Sequence, residues 1–97
     1  MAGFVLSPAA EDDLFQIWRY LYESSTLAVA DRVEKELYGV FSELAVTPGQ
    51  GHTRTDLTSH PVLFFALYSY MVVYRPETPL EIVRVLHGKR DLKRILV

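Results

Sequence analysis

Apolar residues recur along the first half of the chain at helical spacing and along the second half at strand spacing. Ala10, Leu14, Ile17, Trp18 and Leu21 fall three and four apart, which places them on one stripe of a helix running to about Tyr22. Ser7 before Pro8 supplies an N-cap and a first helical residue with φ already set, and Glu11, Asp12 and Asp13 complement the positive end of the helix dipole. After the polar break 23–26 a second stripe follows, Ala30, Val33, Leu37, Phe41 and Leu44, with Ser25 or Thr26 as its cap and Pro48-Gly49 as its stop. Gly39 lies inside this helix and weakens it slightly. So short a break between two amphipathic helices predicts an antiparallel hairpin. Trp18 sits on the buried stripe, which favours a core position for its ring.

Phe4-Val5-Leu6 reads as a short strand ahead of the first helix. Beyond Pro61 the period changes. Residues 62–67, 70–75 and 80–86 are rich in β-branched and aromatic side chains and are separated by Tyr68-Ser69 and by residues 76–79, so a meander of antiparallel strands is expected. Residues 48–61 read as a loop, with a strand start at Arg54-Thr55-Asp56-Leu57 as the alternative. Helices followed by strands give an α+β fold in which the hairpin covers one sheet face. Tyr70, Val72 and Tyr74 point to one face and Met71, Val73 and Arg75 to the other, and one sheet face, concave and bearing aromatics, is expected to stay partly open to a partner. Residues 91–97 fit either a short terminal helix or a frayed tail.

Composition narrows the function. Ninety-seven residues, 49% hydrophobic, suit one domain over the whole length, 1–97. With no cysteine, disulfides and thiolate metal sites are excluded, and His52, His60 and His87 lack partners at ligand spacing, so neither metal nor cofactor is expected. The chain has no apolar run of membrane length, and its first residues lack the basic flank of a signal peptide, so the expected location is cytoplasmic, away from any membrane. Charge is uneven. Residues 1–50 hold eight acids and three bases (−5), residues 51–97 seven bases and four acids (+3), and together they make the net −2. A basic C-terminal edge of Arg84, Lys89, Arg90, Lys93 and Arg94 suits an acidic protein or a phosphate backbone, though direct nucleic-acid binding by an acidic chain is disfavoured. Arg54 and Arg75 are placed to anchor the loop through Asp56.

Ala10, Asp13-Leu14, Ile17-Trp18, Tyr20, Pro48-Gly49 with Gly51, Arg54-Thr55-Asp56-Leu57, Tyr70-Met71-Val72-Val73-Tyr74-Arg75 and the run from Ile82 to Asp91 occur in an order and spacing that resembles the ParE branch of the ParE/RelE toxin superfamily. The resemblance covers nearly the whole chain. It implies the toxin of a bacterial type II toxin–antitoxin pair, with a role in plasmid stabilisation. In such pairs a ParD-like antitoxin wraps the toxin's helices and sheet in a hetero-oligomer. Trp18, Tyr22, Tyr70 and Tyr74 are the antitoxin-facing candidates, and the basic edge is the candidate contact for DNA gyrase, which ParE-type proteins inhibit by binding rather than by catalysis.

The RelE-like branch instead cuts ribosome-bound messenger RNA, which requires proton-transferring groups and cations around the phosphorane. On alignment to this branch its lysines fall on Val62 and Phe64, its arginine on Met71 and its tyrosine on Leu96, and only Arg90 matches. No catalytic residue is therefore assigned. The alternatives are an RNA-cutting enzyme with a rearranged site of His87, Arg84 and Arg90, and a non-toxic relative that only binds.

Overall fold

A computed structural model describes residues 3–88 of the chain. Its elements follow the predicted order: β1 (Phe4–Leu6), α1 (Pro8–Ser24), α2 (Leu27–Val46), a single 3-10 turn at Pro48–Gln50, then β2 (Leu63–Leu67), β3 (Tyr70–Arg75) and β4 (Leu80–His87). Ser7 caps α1 by accepting from the Ala10 N–H, and Thr26 caps α2 by accepting from the Val29 N–H. The break between the helices is only Ser25-Thr26, because α1 continues one turn past the last core residue of its stripe.

The sheet runs β1-β4-β3-β2. The last three strands form the expected antiparallel meander. β1 joins it in parallel beside β4, pairing Phe4 with Leu80 and Leu6 with Ile82. A parallel neighbour needs a crossover, and the helical hairpin is part of it. β4 carries a bulge: Val73 faces Arg84, while Tyr74 faces Ile82, so Val83 is the extra residue. The insertion brings Ile82 and Val85, three apart, to the same side of the sheet, and both are buried against the helices.

Two apolar layers result. The main core lies between helices and sheet and contains Ala10, Leu14, Val33, Leu37, Val40, Phe41, Leu44, Val72, Tyr74, Leu80, Ile82 and Val85. All five residues of the second helical stripe are in place there except Ala30, which is equally buried. The second layer covers the opposite sheet face. Loop residues Leu57 and Val62 pack there on Phe64, Val73 and Leu86, with Met71 and Val83 at the margin. The aromatic-bearing face expected to stay partly open is instead covered by the helices, with Val72 and Tyr74 in the main core, and the loop largely roofs the other face.

That roof hangs on a few contacts. The Tyr74 hydroxyl crosses from the main core to donate to the Pro48 carbonyl (2.6 Å) and accept from the Gly51 N–H (2.9 Å). His52 and Phe64 exchange two backbone hydrogen bonds of 2.9 and 2.8 Å. Arg54 grips Asp56 with two bonds of 3.0 and 2.9 Å. Arg75 pairs with Glu81 at 3.2 Å instead of serving the loop, because the two residues are opposite one another in β3 and β4.

Candidate interaction surfaces

β1 ends at Leu6, and two side chains take over its pairing role along the edge of β4. The Ser7 hydroxyl donates to the Val83 carbonyl at 2.7 Å. Asp13 accepts the Val85 N–H at 3.0 Å and holds the Arg84 guanidinium with two bonds of 2.7 and 2.8 Å. Both partners are well shielded, with side chains 23% (Arg84) and 13% (Asp13) exposed. Because β1 stops at Leu6, opposite Ile82, the edge of β4 at Arg84 is left to α1, and the guanidinium reaches Asp13 there. Arg84, a candidate for target contact, is therefore engaged in an internal clamp between α1 and β4.

Next to this clamp lies a groove of about 460 Å³ lined by Asp13, Gln16, Ile17, Tyr20, Ser69, Tyr70, Val85 and His87. Tyr70 and His87 are paired across β3 and β4, and their rings meet edge to face at 6.2 Å. Asp13 and Tyr20 lie on either side of Ile17 of the buried stripe at three-and-four spacing, so Tyr20 reaches the groove while remaining 63% exposed. Sequence reasoning gave Gln16 no role, and took Asp13 as a dipole complement and, with Tyr20, as part of the family resemblance, without placing them at this groove. The available signal was the spacing Asp13, Ile17, Tyr20 beside a stripe, together with an arginine inside an otherwise apolar strand.

The remaining candidates divide. Tyr74 is fully buried and serves as the loop anchor described above, so its ring is out of reach of a partner covering the surface. Its phenol pKa is raised by burial, partly offset by the Gly51 N–H. Trp18 is half-buried and outside the main core, contrary to the position expected for it. Its indole N–H donates to Asp31 on α2 at 2.9 Å, and its ring stacks on Tyr22 at 5.3 Å, with planes 10° apart. A polar partner on the neighbouring helix draws the indole to the flank of α1, away from the sheet. Lys89, Arg90, Lys93 and Arg94, the terminal helix or tail, and Leu96 lie outside the described residues. Among the described residues no cluster of potential ligands could hold a metal ion.

Among the described residues, the positions aligned with the RNA-cutting groups of the RelE-like branch fall in the loop-covered layer: Val62 and Phe64 are buried and Met71 lies at the margin. Carbon and thioether side chains there transfer no protons at neutral pH.

A family model, the ParE toxin of the type II toxin–antitoxin system parDE, matches residues 4–92. This chain belongs to the ParE toxin family. A solved chain described as the chromosomal ParDE TA system from P. aeruginosa superposes on this ParE chain with a TM-score of 0.75 at 16% identity, covering 89% of this chain and 95% of that one. It shares the α+β fold. No curated protein matches the sequence. Among the described residues no helix of this ParE chain is long and apolar enough to cross a membrane.

Proposed function

We propose that this type II toxin arrests growth in the cytoplasm by binding DNA gyrase and stabilising its cleaved-DNA state, and that a ParD-like antitoxin neutralises it in a hetero-oligomer. The observation that carries this reading is the content of the loop-covered sheet layer. Where the RNA-cutting branch needs bases and cations, this chain has Val62, Phe64 and Met71 packed with Leu57, Val73 and Leu86. Binding is left as the mode of action, and the reading makes the toxin a non-enzyme. The description of the P. aeruginosa structure as a ParDE system supports an antitoxin as partner. The test is a gyrase reaction with purified toxin. Cleaved DNA accumulates in proportion to toxin, while messenger RNA on translating ribosomes stays intact. Transcript cleavage at defined codons with gyrase unaffected would sink the proposal, and normal growth on induction would mark a non-toxic binding relative.

One observation favours a second reading. His87 and Tyr70 line a polar groove with Tyr20 nearby, and imidazole and phenol groups can act in general acid–base steps. A message-cutting enzyme built there would lose cleavage and growth arrest together in His87→Ala. Full toxicity of that variant removes this alternative.

A further inference from the structure

The groove between α1 and the β3–β4 end of the sheet has two walls over an apolar floor. Ile17, packed on the main core, and the buried Val85 lie deepest. From α1 come the Gln16 amide and the Tyr20 phenol, and from the sheet come Ser69 and Tyr70. The sheet wall is fixed. Tyr70 is opposite His87 in the ladder, their rings meet edge to face, and the Gly88 N–H donates to the Ser69 carbonyl at 2.7 Å. Tyr68, just before, keeps a left-handed backbone (φ 54°) that a tyrosine rarely adopts, and its hydroxyl donates to Glu36 of α2. The turn that presents Ser69 and Tyr70 is thus tied to the end of β4 and to the second helix, and the fold carries backbone strain to keep it there.

Size, charge and side-chain chemistry select the ligand. A cleft of about 460 Å³ is within the range that takes a small organic group. Asp13 is the carboxylate on its wall, and it is held by Arg84 and the Val85 N–H, so the groove favours a neutral group over an ion. Tyrosine rings border it from both walls. One helical turn from Tyr20, the Gln16 amide offers a donor and an acceptor side by side, and the Ser69 hydroxyl does either. Phenol rings beside an amide suit a flat, neutral, nitrogen-containing ring, which stacks on the one and hydrogen-bonds along its edge to the other. A net charge of −2 disfavours a grip on the phosphates of a duplex and leaves the binding of a neutral base untouched. A base inside a duplex hides its ring and its edge, so the base that fits is unpaired.

We infer that this groove seats one unpaired base of the cleaved DNA, stacked against its tyrosine rings and read along its edge by Gln16 and Ser69. The assignment to cleaved DNA rests on the gyrase reading above. The chemistry of the base site rests on the groove alone. The toxin then holds the broken strand as well as the enzyme that broke it.

The probe is a short single-stranded oligodeoxynucleotide carrying a fluorescent purine analogue, titrated into the full chain. Its emission is quenched saturably as the base stacks. Tyr20→Ala weakens the titration about tenfold, Tyr20→Phe restores it, and Gln16→Ala weakens it several-fold. Tyr20 is 63% exposed, so its variants keep the thermal midpoint of the unaltered chain. An unlabelled single strand competes, whereas its duplex and a strand of abasic sugars do not. Absence of saturation, competition by the abasic strand, or indifference to Tyr20→Ala overturns the inference. A ribonucleotide strand that binds more tightly than the DNA strand assigns the groove to message and overturns it as well. In gyrase reactions, irradiation of DNA carrying an iodinated deoxyuridine at the cleavage site joins the base to Tyr20 or Tyr70 of the toxin. Crosslinks confined to other residues, or stalling unchanged by Tyr20→Ala, overturn the inference while the gyrase reading stands. Failure of the unaltered toxin to stall gyrase defeats that reading, and the titration still decides whether the groove takes a base.

Discussion

The two faces of the sheet are held by different means. On the helix side, a dozen buried residues from α1, α2 and the strands β3 and β4 interlock, and the stability of that layer is spread over many contacts. On the loop side, five buried residues share a thinner layer, and its cover depends on Tyr74, the His52–Phe64 backbone exchange and the Arg54–Asp56 pair. A distributed layer fails as a whole, whereas a point-anchored one can loosen locally while the rest stays folded. Tyr74 belongs to both, because its ring is in the main core and its hydroxyl in the loop.

The sharpest way to break this contrast is to hit the distributed layer. Leu37 is completely buried between the helices and the sheet. Leu37→Ala removes three carbons and leaves a cavity that neighbours on two elements fill only in part, a cost of about 3–4 kcal/mol. For a chain of this size that is a large share of total stability. Chemical denaturation followed at the helices and at Trp18 gives a single transition moved to lower denaturant. A variant that melted the loop first and left the helices intact would contradict the assignment of Leu37 to a shared core.

Next comes the clamp joining α1 to β4. Asp13→Ala leaves a shielded Arg84 guanidinium and the Val85 N–H without that carboxylate, at a cost of about 2–3 kcal/mol. Arg84→Ala removes only one of the two functions of Asp13 and is milder. A double-mutant cycle between the two positions gives a coupling above roughly 1 kcal/mol, and additivity would show that the pair is a surface contact of no consequence. Amide exchange at Val85 reports the backbone share separately.

The helix layer could be read from the sequence because period carries it. Each residue of the stripe from Ala30 to Leu44 is where its spacing put it, and the strands, their order in the meander and their turns follow from β-branched runs and Tyr68-Ser69. Four features could not be read this way. The parallel pairing of β1 depends on where the hairpin returns the chain, which no local pattern records. The bulge at Val83 depends on register across two strands, and Arg84, expected on a basic edge, is held by Asp13, 71 residues away in sequence. Trp18 obeyed its period but left the core, since a polar acceptor on α2 competed for the indole. The roofing of the second sheet face was hidden for a related reason: a loop without period announces no buried face, and only Leu57 and Val62 hint at one.

Gly51 gives a smaller and local effect. A Cβ at this position would stand 2.6 Å from the Tyr74 hydroxyl and 2.9 Å from the Phe64 carbonyl, both inside van der Waals contact. Gly51→Ala therefore pushes the loop off its anchor at a cost of about 1–3 kcal/mol. Amide exchange rises through residues 51–62 while α2 stays protected. Uniform loss of protection across the molecule would mean that the loop layer is not a separate unit.

The mildest test separates the hydroxyl of Tyr74 from its ring. Tyr74→Phe keeps the core filled and removes the two hydrogen bonds to Pro48 and Gly51, costing about 1–2 kcal/mol. It also has a signature in pH. Burial raises the Tyr74 pKa above its ordinary value of 10.0, so the folded state keeps this proton after the unfolded state has released it. Stability from this group is then fully present below pH 10 and is lost as pH rises from there through the folded pKa. Tyr38 and Tyr68, raised mainly by burial and by the hydrogen bond to Glu36 respectively, add slope in the same direction. Denaturation midpoints measured from pH 8 upward therefore fall less steeply in Tyr74→Phe than in the unaltered chain, while a residual slope persists. Identical alkaline slopes in the two proteins would show that the hydroxyl is solvated, and that the loop is held by the His52–Phe64 and Arg54–Asp56 contacts alone.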